Sequence, residues 1–321
     1  MDKPVTPVDL WACPACLGDL AHSADTYSCR GCSLTYPLSA SGQPDFRPRG
    51  RLHLAMEYAY DPDWGRFPWD LVRVEWPQNA LPFDVPASWE ATEVSLVRSI
   101  PAATGPARAL DLGCGNDRQR FLEPLTRLGY ALTGVDIDGA APHALADAHL
   151  LPLRAASFDL LVTSAVFEHV KQPHVVMAEA ARVAKPGALF VGSIAFGEPY
   201  HISYFHHSPL AVFELLDSAG FECRSIVLTN RWNAFLAHLE MGFAGARYPG
   251  WLRRAVAGGL FGATLVHATV KRLLGRGRAA LDQDRASFAR CHSAAVGFVA
   301  ARRAGPAGTR LVNRGAWQAT S

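Results

Sequence analysis

Hydrophobic positions change their spacing repeatedly along this chain, and the changes mark out elements. Ala107 to Leu112 reads Ala-Arg-Ala-Leu-Asp-Leu, the short apolar run of a buried strand, and breaks at once into Gly113-Cys114-Gly115. Behind that turn the pattern predicts a helix over 119–128, then a strand over 131–135 closed by Asp136. The alternation continues with a helix over 173–184 that Pro173 opens and Lys185-Pro186-Gly187 stops, and a strand over 188–195. Ser208-Pro209 opens a helix over 210–219 that ends at Gly220, and a strand over 221–229 follows. Ser88 caps a further helix, to about Ser99, ahead of the first strand. Strands alternating with helices predict an α/β, doubly wound, Rossmann-like parallel sheet.

The glycine turn carries the first chemistry. A strand, a glycine turn, a helix and a strand ending in a carboxylate make a nucleotide-binding half-unit. Gly113 and Gly115 let backbone approach a ligand where a side chain would collide. Asp136 is placed to accept hydrogen bonds from both hydroxyls of a ribose, which points to adenosine. A dinucleotide site needs a third glycine and a bare helix N-terminus for pyrophosphate. Here Asn116, Asp117 and Arg118 follow Gly115, and a carboxylate at Asp117 repels pyrophosphate. S-adenosylmethionine carries a sulfonium and an ammonium instead, and Asp111 and Asp117 suit those charges.

The segment resembles the first motif of class I S-adenosylmethionine-dependent methyltransferases, and further motifs follow in order. Leu145-Ala146-Asp147-Ala148 is similar to the segment in which those enzymes hydrogen-bond the adenine amino group, which implies that role for Asp147. Phe158-Asp159-Leu160-Leu161-Val162-Thr163-Ser164 resembles their fourth strand, Phe167-Glu168-His169-Val170 the turn after it, and Lys185-Pro186-Gly187 the turn before the fifth. The resemblance is to the methyltransferase type 11 group that includes ubiquinone and menaquinone biosynthesis enzymes, and it covers about Pro106 to Leu228. It implies a cofactor set of Asp111, Gly113, Gly115, Asp136, Asp147 and Ser164. It also implies a seven-stranded sheet with an antiparallel last strand, for which Ser293 to Ala301 is the candidate.

Cys13-Pro14-Ala15-Cys16 and Cys29-Arg30-Gly31-Cys32 are two C-x-x-C knuckles twelve residues apart. Two knuckles close a tetrahedral four-cysteine site, so Cys13, Cys16, Cys29 and Cys32 are expected to hold a structural Zn2+ that does no chemistry. Segment 13–46 resembles the small zinc-ribbon proteins that activate methyltransferases, here fused to the chain. A module this short needs a staple, and the metal is its expected core.

Composition sets the remaining bounds. The 321 residues, 49% of them hydrophobic, suffice for one α/β domain with smaller modules. The N-terminus shows no basic region followed by an apolar run, so a cytoplasmic chain is expected. The organisation reads as a ribbon over 1–46, a Trp/Pro-rich linker over 47–87, a methyltransferase core over 88–229, a helical insertion over 230–290, the last strand over 291–303 and a tail over 304–321. Trp64, Trp69, Trp76 and Trp89 crowd the linker region and either glue the modules together or stack on substrate. From Trp251 onward twelve Lys and Arg face two acids, a net +10, whereas the whole chain is only +2. The nearly uncharged run 255–270 between basic flanks suits either a packed lid helix or peripheral contact with an anionic inner-membrane surface through 251–290. Nucleic acid is disfavoured, because the tail lacks stacking aromatics.

Two places offer a base near the carboxyl edge of the sheet. Glu168 and His169 follow the fourth strand, and His201, His206 and His207 follow the fifth, with His206 the first candidate and His169 the second. Arg118 and Arg120 stand at the expected mouth, where they suit an anionic acceptor. The expected activity is methyl transfer to an oxygen or carbon of a small acceptor, lipid-linked or glycan-derived. An RNA or protein acceptor is the alternative, and a non-catalytic zinc-ribbon interaction protein the second.

Overall fold

The computed structural model describes residues 8–51, 53–56, 68–73, 97–116, 119–228, 233–242, 251, 266, 270, 274, 292–305 and 310–312. The ribbon segment forms an antiparallel sheet of β1 (Leu20–His22), β2 (Thr26–Cys29) and β3 (Thr35–Pro37), with Tyr27 opposite Tyr36. The stretch read as a linker contributes β4 (Leu54–Met56) and β5 (Val72–Arg73). Then follow β6 (Ala107–Leu112), α1 (Gln119–Arg127), β7 (Tyr130–Asp136), β8 (Ala144–Leu145) and β9 (Phe158–Ser164). The second half holds α2 (Pro173–Val183), β10 (Ala184–Ala195), α3 (Pro209–Ser218), β11 (Phe221–Leu228), α4 (Ala234–Gly242), β12 (Ala295–Arg302) and β13 (Arg310–Val312).

Among the described residues the main sheet has eight strands in the order β5-β11-β12-β10-β9-β6-β7-β8. Strands β8, β7, β6, β9 and β10 run parallel, and β12 is the antiparallel last strand expected from 293–301, lying between β10 and β11. The eighth strand is β5, which the sequence reading left inside the linker; it pairs only Val72 and Arg73 with β11. The tail also takes part, because β13 pairs antiparallel with β4. The sheet is apolar on both faces, as helix-covered parallel sheets are. Successive residues of β9 enter opposite layers: Leu161 packs with Leu110, Phe190 and Ile194, whereas Leu160 and Val162 pack with Ala109 and Val191.

Helix α2 ends at Val183, just ahead of Lys185-Pro186-Gly187 as expected, but the next strand starts earlier than the expected 188. Strand β10 already begins at Ala184, and the register shifts between Ala184 and Leu189, with Gly187 at φ +82°. A bulge takes residues out of the hydrogen-bond ladder, so a proline and a left-handed glycine fit inside one strand. Ser208 caps α3 as expected, accepting from the Ala211 N–H. Only the end of the helix expected over 88–99 is described, and its Val97 is fully buried.

The ribbon shares its core with the sheet. The Ala12 N–H donates to the Pro152 carbonyl (3.0 Å), and Leu145 exchanges bonds with the ribbon's end, Phe46 N–H donating to it and Pro44 accepting from it. Trp11 and Phe46 are buried 5.6 Å apart by ring centroid, against Leu150, Leu151 and Leu153. Trp69 is half exposed, and Trp64, Trp76 and Trp89 lie outside the described residues, so the joining tryptophan among the described residues is Trp11. Buried Arg182 holds the docking segment in place: it pairs with Glu179 (2.7 Å) and donates to the Leu151 and Leu153 carbonyls.

Most of 230–290 lies outside the described residues. Trp251, Val266, Val270 and Leu274, which are described, are exposed. Among the described residues no helix is long and apolar enough to cross a membrane.

Gly192 tests the register of the last strand. A Cβ there would stand 2.5 Å from Thr163 Cγ2 and 2.6 Å from the Phe298 ring, so β10, β9 and β12 close over it. Gly192→Ala is expected to lower stability by about 1–3 kcal/mol through overpacking. Urea unfolding checks this, and an unchanged midpoint would show that β12 does not pack across β10.

Candidate active site

The turns at the carboxyl ends of β6, β7, β8 and β9 surround a cleft of about 1110 Å³, and Pro48 to His53 bound it from the linker side. This is the sheet edge, at the reversal of strand order, where open α/β folds take ligands. The volume exceeds the roughly 300–1,000 Å³ of an ordinary small-molecule pocket, enough for two ligands side by side.

The cleft's floor is the turn after β6. Gly113 and Gly115 both hold positive φ, +73° and +60°. A Cβ on Gly113 would lie 2.2 Å from Val166 Cγ2, so the position excludes any side chain on steric grounds as well. Asp136 ends β7 with both carboxylate oxygens accepting backbone N–H groups, Oδ2 from Gly115 at 2.8 Å and Oδ1 from Asp138 at 3.2 Å. Asp147 lines the cleft beyond it. Burial raises its pKa, but the ring and backbone hydrogen bonds from His149, with nearby positive charge that includes Lys171, together outweigh it and hold the carboxyl below its usual range.

Of the cofactor set read from the sequence, Gly113, Gly115, Asp136, Asp147 and Ser164 line this cleft. Asp111 is buried beneath the lining, and burial together with the Asp136 charge pushes its pKa up to about 8. Asp117 and Arg118 lie outside the described residues, as does the side chain of Arg120.

The base candidates separate by position. His169 lines the cleft, and its Nδ1–H donates to the Ile202 carbonyl (3.2 Å), which leaves Nε2 as the basic nitrogen. His206 is not a lining residue: its Nε2 pairs with Ser203 Oγ (2.9 Å), and burial and neighbouring His201 hold its pKa below the ordinary value. Glu168 is fully buried, and among the described residues neither of its carboxylate oxygens has a hydrogen-bond partner. Its backbone carbonyl accepts from Tyr204 and Phe205 N–H, hanging the histidine-rich loop on the turn after β9. Sequence reasoning passed over His149, Lys171 and Tyr204, all of which line the cleft. Only the two-residue spacing of Asp147 and His149 offered a signal.

The four cysteines of the ribbon meet at one point, with all four sulfurs within 4.8 Å of one another and no disulfide among them. Cys13 and Cys32 Sγ stand 3.6 Å apart, and Cys16 and Cys29 Sγ 3.5 Å, close to the ~3.8 Å edge of a zinc–thiolate tetrahedron. Leu17 and Ser33, each directly after a knuckle, both take φ +61°, so the two knuckles turn alike. The Gly31 N–H (3.3 Å) and Cys32 N–H (3.4 Å) donate to Cys29 Sγ, and the Tyr36 hydroxyl lies 3.0 Å from Cys13 Sγ.

Residues 110–192 match the family model described as methyltransferase domain. That match covers about a quarter of the chain. The chain is 36% identical over 101 residues to a ubiquinone biosynthesis O-methyltransferase of Maricaulis maris, covering 26% of this chain and 39% of that protein. It is also 36% identical over 111 residues to the like-named protein of Hahella chejuensis, covering 29% and 45%. The chain thus spans less than half the length of these curated relatives. A solved structure of geranyl diphosphate methyltransferase overlaps 66% of this chain and 77% of its own, with 14% identity and a TM-score of 0.43.

The isolation of Glu168 has a pH signature. Burial, with a smaller contribution from Glu198, pushes its pKa from 4.5 up to about 7. Between those values the folded state holds a proton that the unfolded chain has lost, so stability falls as pH rises through that window. Glu168→Gln removes this cost. It is expected to be more stable than wild type at pH 8, by at most roughly 3 kcal/mol, and comparable at pH 4. Urea unfolding at both pH values checks the sign, and a variant less stable at pH 8 would contradict it.

Proposed function

We propose that this chain is an S-adenosylmethionine-dependent methyltransferase acting on an oxygen of a small acceptor, with a structural zinc in its ribbon. The observation that carries the reading is Asp136. Its carboxylate is fixed by Gly115 and Asp138 N–H groups at the cleft wall, where it accepts from a ribose diol. The methyltransferase domain over 110–192 and the O-methyltransferase names of the relatives support the class of reaction and an oxygen acceptor.

Bound S-adenosylmethionine supplies a methyl group on a sulfonium, an electrophile open to in-line displacement. Asp136 would hold the ribose and Asp147 the adenine amino group, in a cleft that Ser164, His169 and Tyr204 also line. His169 Nε2 would take the acceptor hydroxyl's proton as that oxygen accepts the methyl group, which S-adenosylmethionine would supply while its sulfur keeps the electron pair of the carbon–sulfur bond. The Ile202 carbonyl keeps the proton of neutral His169 on Nδ1, so Nε2 arrives at the cleft unprotonated.

Calorimetric titration with S-adenosylmethionine, with NAD as control, tests the pocket. Wild type is expected to bind the first alone. Asp136→Ala is expected to bind at least a hundredfold more weakly, since two hydrogen bonds to a charged acceptor are lost. Unchanged affinity would remove the assignment.

The zinc has its own measurement. Elemental analysis of the full chain is expected to find about one zinc per protein, and Cys29→Ser to lose most of it. Full retention of zinc by the variant would contradict the four-cysteine site.

A further inference from the structure

Asp147 is held by more than its own backbone. Its Oδ1 accepts two hydrogen bonds from one residue, the His149 backbone N–H at 2.9 Å and the His149 ring Nδ1 at 2.5 Å. Oδ2 takes no hydrogen bond among the described residues, and Asp147 lines the cleft. The other ring nitrogen, His149 Nε2, accepts the Gln172 backbone N–H at 3.1 Å. A backbone N–H only donates, so Nε2 carries the lone pair and the proton of the neutral ring sits on Nδ1, aimed at Asp147.

The far end of this chain of bonds matters as well. Gln172 is the N-cap residue of α2, and its side chain makes no capping bond. The imidazole therefore satisfies a backbone donor at a helix start that otherwise has no side-chain partner, and that anchor keeps the ring from rotating. With the ring fixed, Asp147 is locked through Oδ1, which leaves Oδ2 as the open acceptor of a residue that lines the cleft. The His149 side chain is 12% exposed and that of Asp147 23%, so water competes weakly for either bond.

We infer that His149 is a positioning residue that, by holding Asp147, makes this cleft select a 6-amino purine over a 6-oxo purine. An exocyclic amine donates to Oδ2, whereas the carbonyl of a hypoxanthine ring turns a lone pair toward a carboxylate and is rejected. The inference rests on the S-adenosylmethionine reading of the cleft.

Paired titrations with S-adenosylhomocysteine and S-inosylhomocysteine, on the full zinc-loaded chain, provide the test. Wild type is expected to prefer the adenosine ligand at least tenfold. His149→Ala is expected to lose about tenfold in affinity for it while its affinity for the inosine ligand stays within twofold, so the preference collapses. His149→Asn, whose amide donates from near the Nδ1 position, is expected to recover most of the preference. Equal losses for both ligands in His149→Ala would show a merely structural role, and an undiminished preference would show that Asp147 needs no help. A wild type that binds both ligands equally would overturn the inference and leave the cofactor reading standing. A wild type that binds neither would end both.

Discussion

The site depends on a close approach between two turns. Strands β6 and β9 are parallel neighbours, and the strand order reverses between them because β7 lies on the far side of β6. Their carboxyl-end turns therefore part company, one leading to α1 and the other to the Phe167–His169 turn, and a cleft opens where they diverge. At the root of the divergence Gly113 sits against Val166, with no room for a Cβ. Any larger residue would force the turn after β9, which carries Glu168 and His169, away from the turn after β6. The glycine thus sets the depth of the cleft and the distance between its two working walls.

Charge is divided between those walls. Asp136 and Asp147 line the side that the adenosine reading needs, with Asp111 buried behind them and its carboxyl held largely neutral near pH 7. His169 lines the cleft from the turn after β9, and Lys171, a little further on, is close enough to Asp147 to help hold its carboxyl ionised. The ribbon buttresses the acidic side from outside: Gln43 Nε2 donates to the Pro142 carbonyl at 2.9 Å, and Arg47 Nη1 to that of Ile137 at 3.1 Å. The loop after Asp136 is therefore held from both sides, by Gly115 within and by the ribbon without.

The span from Ala107 to Leu228 was legible because its signals are local. Strand β6 falls where the apolar run ends, Ser208 caps α3, and α2 begins at its proline. Five of the six residues expected to hold the cofactor line one cleft for the same reason, since a strand's last residue and the glycines after it lie at one edge by construction. Pairings between distant segments were not legible. Nothing in a two-residue run such as Val72–Arg73 distinguishes a strand from a loop, and β4 finds β13 across more than 250 positions. The histidines could not be separated by composition: His169 lines the cleft, whereas His206 does not and pairs with Ser203. The early start of β10 was not legible either, because the bulge that makes Pro186 harmless in a strand depends on the neighbouring strand.

The place of β12 has a consequence for biosynthesis. Ala195 of β10 pairs with Ala295, a hundred positions later, and β11 pairs with the other edge of the same strand. A nascent chain that has emerged only through Leu228 carries the cleft's turns and their strands, yet β10 and β11 both lie beside an empty slot. These two strands run in the same direction with α3 between them, so nothing in their own connection forbids them from closing on each other. The space must stay open while the basic insertion is translated, at roughly 5–20 residues per second, and the last strand must arrive in the opposite direction to fill it. Completing this sheet thus takes a strand into its middle, and that strand is synthesised after both of its neighbours.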